Sequence, residues 1–139
     1  MSRIVIDRTF TDTDVKNAIN TMSLDQYNST PTSSVYIVTL TQTSTNAPVA
    51  TVLSDTITGI VWARTGVGTY TATKSGAFTS GKTTPNATGA SCSDIAGNKI
   101  TAQWTSTNVI TVKTYAAADT ETLADGVLSS QEFQIKIYE

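Results

Sequence analysis

Toward its end the chain runs Phe133-Gln134-Ile135-Lys136-Ile137-Tyr138, with a large apolar residue at every second position. Alternation of period two places Phe133, Ile135 and Ile137 on one face of an extended strand and Gln134, Lys136 and Tyr138 on the other. A segment of this kind covers a core with one face and meets solvent with the other, as strands of antiparallel sheets do. Upstream, Val109-Ile110-Thr111-Val112-Lys113-Thr114-Tyr115 and Lys99-Ile100-Thr101-Ala102-Gln103-Trp104 are two further strands. Thr105-Ser106-Thr107-Asn108 turns one into the other and predicts an antiparallel hairpin.

The same texture extends back to residue 35. Val35-Tyr36-Ile37-Val38-Thr39-Leu40-Thr41 is nearly all β-former, as expected of a central strand covered on both faces. A turn at residues 45–48 leads into a strand at 49–53, with Pro48 at its start, where proline is tolerated. A strand at 60–64 joins one at 69–74 through Gly66-Val67-Gly68, whose glycines supply positive φ to a hairpin. Ala77-Phe78-Thr79 reads as one more short strand, and residues 85–98 and 116–131 read as long loops. Before residue 35, Arg3 to Ile6 forms a short strand. Thr11-Asp12-Thr13-Asp14 then offers N-cap chemistry to a helix carrying Val15, Ala18, Ile19 and Met22 on one face. The prediction is a mainly β chain: an antiparallel β-sandwich or jelly roll with one short N-terminal helix, in a single domain over residues 1–139. Helices do not alternate with strands, which argues against a parallel α/β sheet.

Threonine supplies 28 of the 139 residues, whereas charged residues make up only 14%. β-Branched side chains suit a pleated surface. A chain with this balance has strand faces clothed in hydroxyls instead of charges, and such faces suit close packing between subunits. The net charge of -2 and the lack of any basic run argue against nucleic acid as a partner. No apolar run approaches a membrane span, and Met1-Ser2-Arg3-Ile4-Val5-Ile6-Asp7-Arg8 lacks the apolar stretch of a signal peptide. Synthesis in the cytoplasm is the expectation.

Gly76-Ala77-Phe78-Thr79-Ser80-Gly81-Lys82-Thr83 matches the phosphate-loop pattern G-x-x-x-x-G-K-[ST] at every fixed position. A working loop needs a helix starting at the lysine, so that its N-terminal N–H groups face the phosphates. Thr84-Pro85-Asn86-Ala87-Thr88-Gly89 cannot provide one, and no parallel sheet is on offer. Nucleotide binding through Gly76 to Thr83 is therefore the remote alternative, and a Gly/Ser/Thr-rich turn is the ordinary one.

Catalytic chemistry finds little support. Histidine is absent, which removes the common acid–base and triad arrangements. Cys92 is the single cysteine, a small buried or incidental surface residue with no base of the usual kind to activate it. Asp119, Glu121 and Asp125 lie close in sequence, but not at the spacing of an EF-hand loop. They read as a solvated acidic loop, with Ca²⁺ binding as the alternative. No catalytic residue, metal or cofactor is assigned. Trp62, Trp104 and Tyr115 stand in strand-like runs, where aromatics anchor a core or a subunit interface. They are also the candidate glycan contacts.

Several consecutive words carry a resemblance. Thr41-Gln42-Thr43-Ser44-Thr45-Asn46-Ala47-Pro48-Val49-Ala50-Thr51-Val52-Leu53 is one. Val61-Trp62-Ala63-Arg64-Thr65-Gly66-Val67-Gly68-Thr69-Tyr70-Thr71-Ala72-Thr73, followed by Gly76-Ala77-Phe78, is a second. The ending Phe133-Gln134-Ile135-Lys136-Ile137-Tyr138-Glu139 is a third. Together they resemble small virion structural proteins of bacteriophages that infect Bacteroidetes, of the head-decoration, penton, spike or fibre type. The resemblance implies a sandwich or jelly roll located in the virion, a trimer or pentamer of itself, other virion proteins as partners and no catalytic residues. It lacks the long N-terminal coiled coil of some head fibres. The alternative within the same setting is a receptor- or glycan-binding module, with host surface glycan as partner and contacts in loops 85–98 or 116–131.

Overall fold

In the computed structural model, residues 13, 32–87, 98–116 and 121–139 are described. The chain divides into two compact units, Met1–Thr32 and Ser33–Glu139, and the β-structure belongs to the second. The predicted strand at 3–6 and helix at 15–22 lie outside the described residues, as do Cys92 and Asp119. The strands are β1 (Ser33–Thr41), β2 (Val49–Asp55), β3 (Val61–Gly66), β4 (Thr69–Thr73), β5 (Thr83–Ala87), β6 (Lys99–Ser106), β7 (Val109–Tyr115) and β8 (Gln131–Tyr138).

They form two four-stranded sheets, in the orders β2-β1-β8-β5 and β3-β4-β7-β6. Every pairing is antiparallel. The fold is mainly β, and the two sheets share one core. Tyr36, Val38, Leu40, Phe133 and Ile135 of the first sheet are buried with Tyr70, Ala72, Ile110 and Val112 of the second. Ile57, Phe78, Val127 and Leu128 close the core from the connections. Each large side chain taken fully out of water contributes roughly 1.5–3 kcal/mol, which is why the period-two pattern dictates the register. Of the two architectures expected, the sandwich is the one formed. Hairpins β1–β2, β3–β4 and β6–β7 keep successive strands side by side in one sheet, whereas a jelly roll winds two Greek keys across both.

Four expectations change in detail. β1 is central, between β2 and β8, but only one of its faces is fully covered: Tyr36, Val38 and Leu40 are buried while Val35, Ile37 and Thr39 are half-buried. A sheet in a two-layer sandwich packs one face on its partner, so a run of β-formers does not require two covered faces. Ala77-Phe78-Thr79 is a connection and not a strand: Phe78 N–H donates to the Thr107 carbonyl at 2.9 Å, and the ring is fully buried. The strand comes instead at β5, which includes Pro85, placed by the sequence pattern at the start of a loop. β5 is an edge strand, where a missing N–H costs no ladder bond. In the β3–β4 connection only Gly68 has positive φ, at 52°, so Gly66 is not required for that reason.

Candidate functional site

The predicted aromatics occupy three different settings. Trp62 on β3 and Trp104 on β6 are half-buried against the core. The Trp62 indole N–H donates to the Tyr36 hydroxyl at 3.0 Å, and its ring meets Phe133 edge-on at 5.3 Å. The Trp104 indole N–H donates to the Phe78 carbonyl at 2.9 Å. Both indole N–H groups are therefore engaged within the protein, while the rings stay part-exposed. Tyr115 lies at the end of β7, half-buried, with the Lys99 ammonium 5.7 Å from its ring centroid. β3 and β6 are opposite edges of one sheet, so the three residues do not converge on a common binding surface.

One end of the sandwich is closed by a polar cluster that sequence reasoning missed. Asp125 accepts from Arg64 Nε at 3.0 Å and Nη2 at 2.7 Å, from Gly68 N–H at 3.0 Å and from the Tyr70 hydroxyl at 3.2 Å. Gln42 is buried and bonds in both directions. Its Oε1 accepts from Tyr70 Oη at 2.8 Å and Gly126 N–H at 2.6 Å, while Nε2 donates to the carbonyls of Ser44 at 2.6 Å and Asn46 at 3.1 Å. The Arg64 fork holds the Asp125 carboxyl well below the usual carboxylate range. Burial pushes the Tyr70 and Tyr36 phenols up. Asp125 is thus part-exposed but engaged by Arg64 and its neighbours, a tighter setting than the solvated acidic loop expected from sequence. Its only sequence signal was the Asp125-Gly126 turn; nothing marked Gln42 or Arg64, whose partners lie 83 and 61 positions away.

At the opposite end lies a hollow of about 470 Å³ between the β2–β3 and β4–β5 connections and the end of β8. Gly76, Ala77, Thr79 and Lys82 of the phosphate-loop pattern line it. After Lys82 the chain enters β5, so no helix N-terminus faces the loop and the triphosphate geometry is not formed.

The two sides of the sandwich differ. β5 and β6 carry Pro85 and Lys99, residue types that blunt a sheet edge. β2 and β3 contain neither lysine nor proline. Val49, Val52 and Leu53 on β2 and Val61 on β3 are 55–67% exposed. The outer face of β4 adds Thr69, Thr71 and Thr73, paired across to Lys113, Thr111 and Val109 on β7. No protein-family model matches the chain, and neither does a curated protein or a solved structure. Among the described residues no helix is long and apolar enough to cross a membrane.

Proposed function

We propose that this chain is a structural component of a bacteriophage virion, a decoration, penton, spike or fibre-type module that acts by assembling with copies of itself. The observation that carries this reading is the exposed apolar side chains on the edge strands β2 and β3. An edge strand with free ladder groups and exposed valine and leucine is a template for another chain, and stable monomers guard against that with lysine, proline or cover. Here lysine and proline stand on the other side only, and the one cation on β3, Arg64, is spent on Asp125. A heterologous contact, with the β2–β3 side of one subunit against a different surface of the next, closes a ring of three or five. The hydroxyl-clad outer face and the phage-like words of the sequence support the same role, with the virion as its location and other virion proteins as neighbours. The role requires no catalysis and no cofactor.

The test is solution mass by light scattering, for the native chain and for Val52→Lys and Leu53→Lys. The expected result is a discrete oligomer that either lysine reduces to monomer without loss of β-structure. A native chain that stays monomeric at high concentration, and is missing from purified particles, would sink the proposal.

A further inference from the structure

The structure assigns a second role to the hollow at the β4–β5 connection: we propose that it binds a small acidic sugar, a carboxylate carried on a hydroxyl-rich ring. This goes beyond the assembly role and rests on different residues. The hollow falls in the size class of small-ligand sites. Its walls are built rather than incidental. Asp55 Oδ1 accepts from the N–H groups of Ile57 and Thr58, at 2.9 and 2.6 Å, and Thr58 takes a φ of 59°. Positive φ at a β-branched residue is costly and persists only where its surroundings impose it. The result is a pair of carbonyls, Ile57 and Thr58, that both accept from the Lys74 ammonium. The segment that follows is pinned to the β6–β7 turn, through Lys74 N–H to the Asn108 carbonyl at 3.0 Å and Gly76 N–H to Asn108 Oδ1 at 2.7 Å. One cation is thereby fixed in the wall.

A second cation, Lys82, lines the same hollow and is exposed, with no partner for its ammonium among the described residues. The Ser75 and Thr79 hydroxyls are likewise uncommitted among the described residues, and Ser34 and Tyr138 add further hydroxyls to the lining. Lys74 and Lys82 place two cations in the lining, with the terminal residue Glu139 beside them as the opposing anion. A charge-assisted bond to Lys82 with hydroxyl contacts around it suits a sugar acid better than a neutral sugar, which leaves the cations unused.

The experiment titrates the isotope-labelled full chain with D-glucuronate, D-glucose and inorganic phosphate, and follows the amides of Ser75 to Thr79, Lys82 and Tyr138 by NMR. The expected result is saturable shifts with glucuronate and at least about tenfold weaker response to glucose and phosphate. Lys82→Ala, or Lys82→Gln if the alanine variant folds poorly, weakens glucuronate about fivefold, and Glu139→Gln strengthens it. Lys74 is left intact because it holds the wall together. No saturable response to glucuronate at these amides overturns the proposal. So does an equal response to glucose or phosphate, or indifference to Lys82. Loss of oligomerisation in Val52→Lys leaves this binding unchanged, so the two proposals fail separately.

Discussion

Trp62 and Trp104 stand at the two ends of one row across a single sheet. The register runs Trp62, Ala72, Ile110, Trp104, with both middle residues wholly buried. Each indole closes the core at an edge strand and spends its one donor on a fixed acceptor from outside its sheet, the Tyr36 hydroxyl or the Phe78 carbonyl. Small Ala72 sits in the row between bulky neighbours. The pair is best described as bookends of the core.

Trp62→Ala and Trp104→Ala should each destabilise by about 2–4 kcal/mol, at or below the range for fully buried tryptophans because both are half-exposed. Three strand spacings, about 14 Å, separate them, so the double variant should be additive within about 0.5 kcal/mol. Urea unfolding of the four chains measures this, and strong coupling would contradict the bookend description.

Gln42→Leu should cost about 2–4 kcal/mol although it adds apolar surface. It strands the Gly126 N–H and the Ser44 and Asn46 carbonyls that the amide satisfies, at a part-buried site. Tyr70→Phe removes only the hydroxyl bridging Gln42 and Asp125 and should cost about 1 kcal/mol. Equal losses for the two would show that the Gln42 amide adds nothing to the polar cluster beyond its bond to Tyr70.

Stability should fall in acid through Asp125. Its folded-state carboxyl is held below the ordinary value of 3.8, chiefly by the Arg64 hydrogen bonds. Between the two values the unfolded chain binds more protons than the folded one, so stability drops as pH drops. The contribution is complete above about pH 5 and is lost progressively below about pH 4. Asp125→Asn should be the less stable chain at neutral pH, and its deficit should shrink toward pH 2. Denaturation midpoints across that range decide the matter; a deficit independent of pH would remove the ion pair as its source.

Gly68→Ala should be far worse than Gly59→Ala. Both glycines have positive φ, which charges any β-carbon about 1–2 kcal/mol. A Cβ on Gly59 meets nothing, whereas one on Gly68 lies 2.5 Å from the Thr114 carbonyl oxygen and 2.6 Å from the Ala124 nitrogen. Those are backbone atoms and cannot swing aside. Thermal unfolding should show a mild shift for Gly59→Ala and a severe one, or failure to fold, for Gly68→Ala.

Strands were legible wherever alternation was strong. Phe133 and Ile135 are buried and Gln134 and Lys136 only half-buried, as their spacing requires. The β3–β4 and β6–β7 hairpins lie where the turn residues placed them. Reading failed where a residue's partner is remote. Composition places Phe78 in a strand, yet its conformation is set by Thr107 and by the core. Pro85 signalled a loop because a lone segment does not reveal whether it will lie at a sheet edge.

From the order of residues alone followed the antiparallel β class, the hydroxyl-clad surface and the mismatch of the Gly76 to Thr83 motif with a nucleotide site. Those depend on neighbours one or two positions apart, whose side chains alternate whatever the rest of the chain does. Only the tertiary structure decided that Arg64 grips Asp125, that Lys74 is held by two carbonyls and that β2 and β3 are edge strands with exposed valine and leucine. Such features join segments tens of residues apart, and no local pattern encodes which remote groups will meet once the two sheets close on their core.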